Sequence, residues 1–454
     1  MSPIVTRIPP SPTGRFHIGT ARTALFNYLF ARHAGGRIVF RSEDTDRTRS
    51  KQEYEDEIIE GLTWLGISWD ESSRQSEHIN RYRELLEKLV GEGKAYLSKE
   101  PAKDNPEVMV EVVRLRNPGS VITFTDLIRG DITFDTTELG DFVIARSLDD
   151  ALYHFAVVVD DMDAHISHVI RGEDHISNTP RQILIQEALG ASRPAYAHLP
   201  LILDEKRAKL SKRSGATSVM DYREEGFLPE ALVNYLALLG WNPGTDREEF
   251  SLPDLVEAFS LDGIQKSGAA WNREKLLSVN QHWMRKLSDE RFLECLDFVN
   301  PASQEGFTKS YNPAKLAAAI PLLKERAQTF GEARDMLAGE LSCLFTEPTL
   351  EVSLLQAKEP MDRPGMTREA LESLLGPLEA LPADAGAEMV KEALMPFADA
   401  EEARGKGGRG AVLWPLRYAL SGKERSPDPF TLISILGSDA AIKRLHLAIA
   451  ILEK

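Results

Sequence analysis

The chain has few of the features that mark a secreted or membrane-bound protein. Only Cys295 and Cys343 could form a disulfide bond, and no apolar run approaches the ~20 residues that a membrane-spanning helix requires. The first residues lack a basic stretch followed by an apolar one, so no export signal is expected. These absences predict a cytoplasmic protein without a membrane partner.

Basic residues are outnumbered by acidic ones, 54 against 70. The formal net charge is −16 at pH 7, which argues against a protein that coats nucleic acid through a global positive field. Contacts with phosphate would therefore depend on local basic clusters, and for any such cluster taken alone a solvated surface is the favoured interpretation. Two such clusters occur: Lys206, Arg207, Lys209, Lys212 and Arg213, and then Arg404, Lys406, Arg409, Arg417, Lys423 and Arg425.

What is present is an alternation of β-branched runs and helical patterns, typical of a parallel α/β sheet. A chain of 454 residues is too long for one core, so we expect two to four domains. The pattern occurs in two separate parts of the chain, and both are expected to contribute to one sheet. Its strands are predicted over 5–8, 37–41, 166–170 and 198–203, and its helices over 20–33, 52–65 and 179–189.

Other patterns fill the rest of the chain. Between the two parts of the sheet, short antiparallel strands are predicted over 107–114, 121–124 and 131–134, which indicates an inserted α+β subdomain. Strand patterns then fade from about Leu228. The last third is predicted to be helical, with helices over 314–334, 368–375, 389–397 and 432–452.

A proline-rich loop follows the first predicted strand. Residues 9–20 read Pro-Pro-Ser-Pro-Thr-Gly-Arg-Phe-His-Ile-Gly-Thr. Gly14 and Gly19 allow close backbone approach, and the following helix presents unpaired N–H groups at its positive end. This arrangement predicts a triphosphate site. His17 lies within it as a donor that could stabilise charge on a transferred phosphoryl group.

A second basic segment, Lys209-Leu210-Ser211-Lys212-Arg213, directly follows a predicted strand. Its two lysines are three residues apart and could contact a polyphosphate as mobile point charges. By itself the segment could be a solvated loop. Together with the proline-rich loop, it is interpreted as the other half of an ATP site.

These two segments resemble the signatures of class I aminoacyl-tRNA synthetases, with His17-Ile18-Gly19-Thr20 as the first and residues 209–213 as the second. Over essentially the full chain, the sequence is similar to bacterial-type glutamyl-tRNA synthetases. The strings that carry this resemblance are Pro-Ser-Pro-Thr-Gly at 10–14, Glu-Asp-Thr-Asp at 43–46, Val-Ile-Arg-Gly-Glu-Asp-His at 169–175 and Leu-Pro-Glu-Ala-Leu-Val-Asn-Tyr at 228–235.

The resemblance implies a fold and a domain organisation. It implies a Rossmann-type parallel sheet, an inserted subdomain that binds the acceptor stem, and an all-helical region that binds the anticodon. The expected domains are 1–80 and 151–204 for the two halves of the catalytic domain, 81–150 for the insertion, 205–290 for the stem-contact domain, and 291–454 for the anticodon-binding domain.

The resemblance also implies ligation of L-glutamate to tRNA(Glu) through a glutamyl adenylate, with Mg²⁺-bound ATP as the substrate. The catalytic residues would be His17, Lys209 and Lys212. The implied ATP-binding residues are Pro10, Ser11, Thr13, Gly14, His17, Gly19, Thr20, Glu173, Leu210, Ser211, Lys212 and Arg213. The implied glutamate-binding residues are Arg7, Ser11, Glu43, Tyr153 and Arg171.

Two arginines of the helical region match anticodon-contacting positions of the family. Arginine can stack on an unpaired base and bond its edge. Arg417 gives the clearer match and Arg326 the weaker one, for which a surface role is an equal alternative. The chain departs from many relatives because it has no cysteine before Cys295 and a short insertion, so we expect no structural zinc.

Other functions fit the sequence less well. Thr20, the Lys-Leu-Ser-Lys form of the basic segment and the helical carboxyl-terminal third disfavour a glutaminyl-tRNA synthetase. That helical third also disfavours a truncated paralogue acting on a tRNA base and a small-molecule nucleotidyltransferase. Intact His17, Lys209 and Lys212 disfavour a non-catalytic RNA-binding descendant. The sequence leaves open whether tRNA(Gln) is also charged, and a monomer is expected.

Overall fold

The computed structural model of the chain describes residues 3–102, 105–210, 218–298, 306–404 and 408–453. The chain divides into two compact units. The first consists of Met1–Arg223 and Phe227–Asn280, and the second of Glu224–Gly226 and Gln281–Lys454. The finer division into five domains stays a prediction.

The first unit begins with a parallel three-stranded sheet whose strand order is β1-β2-β3. The predicted strand over 5–8 is confirmed, and the second strand and both helices lie within two residues of their predicted bounds. The elements are β1 (Val5–Ile8), α1 (Ile18–His33), β2 (Arg37–Ser42), α2 (Gln52–Trp64) and β3 (Glu71–Arg74).

A helix and a largely antiparallel region follow this sheet. Four of its strands form a separate sheet in the order β4-β5-β8-β9, while the remaining two form a hairpin. The elements are α3 (Ile79–Gly91), β4 (Ala95–Ala102), β5 (Asn105–Leu115), β6 (Val121–Asp126), β7 (Gly130–Asp135), β8 (Phe142–Ser147) and β9 (Asp150–Ala151).

Strands from the later part of the unit form a second sheet that is hydrogen-bonded separately from the first, rather than the single sheet expected from the sequence. Ser167 N donates to Val5 O at 3.0 Å, which brings β10 beside β1. The strand order of the second sheet is β10-β11-β6-β7, so the hairpin extends its edge through a pairing of Tyr196 with Asp126. The elements are α4 (Tyr153–Asp163), β10 (His168–Gly172), α5 (Thr179–Leu189), β11 (Ala195–Leu199) and β12 (Ile202–Leu203).

The prediction of one strand over 198–203 is therefore wrong. The structure has β11 ending at Leu199 and a separate short strand beginning at Ile202. Pro200 lies at the break and has no N–H to donate, so it cannot continue a central ladder. Its carbonyl instead faces the side chain of Arg22, to which it is hydrogen-bonded.

Apart from the edge strand β3, the parallel strands are largely buried on both faces. On β2, Ile38 and Phe40 pack into one hydrophobic cluster with α1 and α2, while Val39 packs into another with α4 and α5. Shorter elements complete the unit: α6 (Val219–Glu224), α7 (Pro229–Leu238), α8 (Leu252–Ala258) and β13 (Ala269–Ala270), followed by α9 (Arg273–Lys286), which extends into the second unit.

The described part of the second unit contains helices and no strand, as predicted. Two predicted long helices are each split. Thr329 caps a new helix by accepting from Glu332 N, and Gly437 adopts φ 84°, a conformation that ends the preceding helix. The helices are α10 (Asp289–Phe298), α11 (Pro313–Arg326), α12 (Phe330–Ala338), α13 (Val352–Leu355), α14 (Met366–Glu379), α15 (Ala387–Ala403), α16 (Gly410–Ser421), α17 (Pro429–Leu436) and α18 (Ser438–Leu452).

Candidate active site

A cavity of about 460 Å³ lies at the carboxyl ends of the parallel strands of the first unit. This is where open α/β sheets bind their ligands, because loops from neighbouring strands meet there. The cavity brings together most of the site residues predicted from the sequence. Those that line it are Arg7, Pro10, Ser11, Thr13, His17, Gly19, Thr20, Glu43, Tyr153, Arg171, Lys209 and Leu210.

The proline-rich loop forms one wall and is tied to its surroundings by backbone hydrogen bonds. Pro10 O accepts from Glu43 N at 2.9 Å, and Pro12 O accepts from Lys51 N at 3.0 Å. These bonds join the loop to the segment between β2 and α2. The loop therefore presents a fixed surface at the start of α1 rather than a chain that must be ordered by a ligand.

His17 is the N-cap residue of α1 and directly precedes its first turn. Its Nδ1 accepts a hydrogen bond from Gly19 N at 3.0 Å, which satisfies one of the unpaired N–H groups of the first helical turn. In the neutral ring the proton is then on Nε2, so that nitrogen is a donor. The first turn of α1 contains no acidic residue, so its positive end is not neutralised locally.

The basic segment approaches the same cavity. Lys209 Nζ pairs with Asp174 Oδ2 at 2.7 Å, and Leu210 is buried beside it. Ser211, Lys212 and Arg213 lie outside the described residues. Ser218, the next described residue, forms an isolated antiparallel β-bridge with His17. The structure thus brings Lys209 and His17, which are far apart in sequence, to one cavity.

Two predicted ATP-site residues, Gly14 and Glu173, do not line the cavity. Glu173 Oε1 accepts from Leu201 N at 2.8 Å, and its Oε2 pairs with Arg129 at 2.6 Å. Because Leu201 is itself a lining residue, Glu173 fixes part of the wall from behind.

Arg171 extends from β10 into the cavity wall and is only 5% exposed. Its hydrogen bonds go to Gln182 Oε1 and Thr179 Oγ1, both at 2.7 Å, and to His198 Nε2 at 3.2 Å. All three partners are neutral acceptors, and among the described residues Arg171 forms no ion pair. A buried guanidinium without an anion leaves its charge available to a ligand that carries one.

Glu43, which lines the cavity, belongs to a group of buried ion pairs centred on Arg41. Its guanidinium lies 2.7 Å from Asp161, 3.0 Å from Glu43 and 3.7 Å from Asp160. Although burial opposes ionisation, the surrounding carboxylates raise the pKa of Arg41. Arg7 joins the same array through Asp161 at 3.4 Å and donates to Ile170 O at 3.4 Å.

The two carboxylates beside Arg41 respond differently to burial. For Glu43, burial outweighs the attraction of Arg41 and raises its pKa. For Asp161, the combined charge of Arg41 and Arg7 outweighs burial and lowers its pKa. Asp161 is therefore the stable anion that balances the arginines, while Glu43 lines the cavity and gains from a further positive charge.

Neutral polar rings complete this part of the site. Burial raises the pKa of Tyr153 to about 12, so its hydroxyl keeps its proton. Burial, and then the charge of Arg171, lower the pKa of His175 to about 4. Tyr153 Oη lies 3.5 Å from His175 Nδ1. Both side chains line the cavity as hydrogen-bonding groups without charge.

Sequence reasoning missed Arg41, Asp161, Arg22 and His175. A signal for the first two was available: Arg41 follows Ile38-Val39-Phe40 in a predicted buried strand, and Asp161 ends an apolar run in α4. A charge in such a position must be paired or functional. Arg22 is almost fully buried on α1, lines the cavity and donates to Leu239 O at 3.0 Å.

The two arginines predicted to contact the anticodon lie in the second unit. Arg417 lines a cavity of about 410 Å³ with Trp414, and its guanidinium carbon is 4.8 Å from the centre of that ring. Arg326 ends α11 and lies 3.8 Å from Glu340. It does not line the Arg417 cavity.

In the described ranges, no group of three or more His, Cys, Asp or Glu side chains is arranged to hold a metal ion. The expectation of no structural zinc stays a prediction. Within the same ranges, no helix is both long and apolar enough to cross a bilayer.

Comparison with known proteins agrees with this architecture. Residues 3–108 and 99–278 match the family described as tRNA synthetases class I (E and Q), catalytic domain, and residues 284–449 match an anticodon binding domain. The glutamate–tRNA ligase of Geobacter sulfurreducens is 42% identical over 483 residues, with 100% of both chains covered. That of Syntrophobacter fumaroxidans is 39% identical, with 100% of this chain and 99% of the relative covered.

A solved structure is similar as well. The glutamate tRNA ligase of Elizabethkingia meningosepticum, crystallised in complex with its amino acid, matches with a TM-score of 0.83 at 30% identity, and 99% of each chain is covered. The fold and the cavity at the strand ends therefore define a class I tRNA synthetase. Within that class, the chain belongs to the glutamate–tRNA ligase family, as the sequence resemblance predicted.

Proposed function

We propose that the chain ligates L-glutamate to tRNA(Glu) and converts ATP to AMP and pyrophosphate. The observation that supports this most directly is Arg171, a buried cation on the cavity wall whose partners are all neutral. Such a group favours a substrate that carries a carboxylate. The relatives named glutamate–tRNA ligase supply the identity of that substrate.

The substrate has two carboxylates and one ammonium group, and the cavity has complementary groups. Arg171 and Arg7 would bind carboxylate, since a guanidinium offers paired donors in one plane. Glu43 would contact the ammonium group. The positive charge of that group would favour the ionised form of Glu43 and so oppose the effect of burial, which raises the pKa of Glu43. Tyr153 and Ser11 would close the pocket as neutral hydrogen-bonding groups.

In the first step, the α-carboxylate of glutamate attacks the α-phosphorus of ATP. A C–O–P bond forms as the bond to the pyrophosphate leaving group breaks, which gives glutamyl adenylate. His17, Lys209 and Lys212 would stabilise the charge that develops on the phosphates. The amino-terminal end of α1 would favour the same negative charge. The Mg²⁺ that accompanies ATP is part of the substrate and supplies further charge neutralisation.

In the second step, a hydroxyl of the terminal adenosine of tRNA attacks the activated carbonyl, and AMP leaves. Neither step requires a protein nucleophile, so positioning and charge stabilisation supply the catalysis. Arg417, next to Trp414, would contact an anticodon base, and Arg326 would be a second contact. We also propose a monomeric enzyme that works in the cytoplasm.

The step most sensitive to the site is adenylate formation. His17→Ala should lower its rate about 10²–10³-fold, because one donor to the developing charge is lost. The measurement is single-turnover formation of glutamyl adenylate with tRNA present. His33→Ala, at the exposed end of the same helix, is the matched control. A near-normal rate in His17→Ala would exclude the assigned role.

The substrate assignment needs its own test. Purified protein should be given tRNA(Glu) or tRNA(Gln), with glutamate or glutamine and ATP. Esterification of glutamate onto tRNA(Glu) is the expected result, and charging with glutamine alone would overturn the proposal. The same assay shows whether tRNA(Gln) is a second acceptor.

A further inference from the structure

A fully buried histidine, His198, lies directly beside Arg171 in the parallel sheet. The two residues are paired in register on neighbouring strands β10 and β11. His198 is 0% exposed and does not line the cavity, so it cannot contact a ligand there. Its Nε2 lies 3.2 Å from both Arg171 Nε and Thr179 Oγ1, and its Nδ1 lies 2.6 Å from Asp126 Oδ2.

The chemistry of its two charged partners, Asp126 and Arg171, fixes the tautomer of this ring, and the Thr179 hydroxyl can donate to the same unprotonated Nε2. The Asp126 carboxyl is buried and faces four donor groups. Burial opposes its ionisation, but the hydrogen bonds outweigh burial and lower its pKa, so it is an acceptor only. His198 Nδ1 must therefore carry the proton. Arg171 Nε is a donor only, so His198 Nε2 must be unprotonated. Burial, which lowers the pKa of His198, favours the same neutral form.

This pairing limits how Arg171 can rotate. A guanidinium has five N–H groups. One is held by His198, one by Gln182 and one by Thr179, each on a different nitrogen. One N–H group remains on each of Nη1 and Nη2, which is the set required for a bidentate bond to a carboxylate.

Asp126 is itself held rigidly at the end of the β6–β7 hairpin. Its Oδ1 accepts from Ile128 N at 2.9 Å and from Arg129 N at 2.8 Å, in the turn that joins the two strands. The carboxylate also accepts from His198 N at 3.0 Å, and Arg129 Nε donates to His198 O at 3.3 Å. The hairpin that extends the parallel sheet is thus connected, through one imidazole, to the arginine in the cavity.

We propose that His198, oriented by Asp126, is a positioning residue that sets the guanidinium of Arg171 for the substrate carboxylate. This inference rests on the proposed function, in which Arg171 binds glutamate. His198 acts through Arg171 and touches neither substrate nor ATP. Its contribution should therefore appear in the KM for glutamate and not in the KM for ATP.

Two substitutions separate the contact of His198 with Asp126 from its contact with Arg171. In His198→Asn, the side-chain amide reaches the position of Nδ1, so the bond to Asp126 can form while the acceptor for Arg171 is lost. In His198→Gln, the amide oxygen reaches the position of Nε2, so the acceptor for Arg171 is kept while the donor to Asp126 is lost. His168→Asn, on β10 and away from the cavity, is the matched control.

The assay is aminoacylation of tRNA(Glu), with the KM for glutamate, the KM for ATP, kcat and the melting temperature measured for each variant. His198→Asn should raise the KM for glutamate about tenfold, the effect of losing one hydrogen bond to a charged group. His198→Gln should stay within about threefold of the wild type even though it melts at a lower temperature.

The outcomes are distinct. If the KM for glutamate rises equally in both variants, or follows the melting temperature, His198 has only a structural role and the inference is wrong. An equal rise in the KM for ATP would also overturn it. If the wild-type protein does not charge tRNA with glutamate, the proposed function fails, and the inference fails with it.

Discussion

Arg41 and Arg171 are both almost fully buried in the first unit, but their charges are compensated in different ways. Arg41 lies among Asp160, Asp161 and Glu43, whose carboxylates balance its charge within the fold. Arg171 donates only to neutral acceptors. The first arrangement is self-sufficient, whereas the second is complete only when an anion enters.

This difference separates a supporting role from a binding role. A balanced cation contributes to the folded state, and its loss leaves buried carboxylates uncompensated. An unbalanced cation costs desolvation energy during folding, and that cost is offset when substrate binds. Arg7 shares features of both, since it lies 3.4 Å from Asp161 and also lines the cavity.

The largest effect is expected from Arg41→Met. Removal of one partner from a buried ion-pair array costs about 3–5 kcal/mol of unfolding free energy, because the remaining carboxylates lose their shared cation. Urea denaturation followed by tryptophan fluorescence measures this loss. Arg49→Met, in an ion pair whose arginine is 72% exposed, is the control. It should cost no more than about 1 kcal/mol, and a similarly small loss for Arg41→Met would remove the distinction between the two arginines.

Arg171→Met should produce the opposite pattern. The kcat/KM for glutamate is expected to fall about 10²-fold or more, as is typical when one partner of a buried charge pair is truncated. Stability should fall less than in Arg41→Met, because no carboxylate is left unpaired. Steady-state aminoacylation and the same urea titration give the two values. Arg181→Met, on α5 and outside the cavity, is the control. Losses of stability equal to those of Arg41→Met would contradict the binding role.

A pH profile should distinguish Glu43 from its neighbour Asp161. Burial raises the pKa of Glu43 above 4.5, and binding of an ammonium group requires the ionised form. The kcat/KM for glutamate should therefore be maintained above the raised pKa and decrease as pH falls through it, about tenfold per pH unit at the limit.

In Glu43→Gln, kcat/KM should be low at every pH, and its decrease at low pH, the acid limb of the profile, should be absent. The control is Glu60→Gln, an exposed carboxylate of α2 that pairs with Arg223. An unchanged acid limb in Glu43→Gln would assign that limb to a different group, and the ammonium contact would then lack support.

Local patterns in the sequence were enough for the parallel strands, the helices that cover them and the two signature segments. The alternation of Ile38, Val39 and Phe40 reflects burial on both faces, which is a property of the strand itself. The extra helix breaks at Thr329 and Gly437 were missed because apolar periodicity continues across them, while capping and a positive φ act on single residues.

The pairing of buried charges could not be predicted in this way. Arg41 and Asp161 are 120 residues apart, and Asp126 and His198 are 72 apart. Which of these side chains meet depends on strand order and register, and on the hairpin β6–β7 joining the edge of β11. The cavity residues that sequence reasoning did identify were found because they lie in family motifs, not because their contacts could be inferred.

The smallest effect on stability is expected at His78, which contacts Asp160, one of the carboxylates around Arg41. His78 Nδ1 lies 2.8 Å from Asp160 Oδ1, and this hydrogen bond raises the pKa of His78 above 6.5. A raised pKa stabilises the folded state fully below pH 6.5, and that stabilisation is lost as pH rises through the folded-state value. Since the His78 side chain is 36% exposed, solvent screening keeps the contribution below about 1 kcal/mol.

His78→Gln should therefore melt below the wild type in mildly acidic buffer, and the gap between the two melting temperatures should narrow in alkaline buffer. His446→Gln, at an exposed side chain that forms no ion pair among the described residues, is the control. A gap that widens with pH for His78→Gln would show that Asp160 gains nothing from a protonated imidazole.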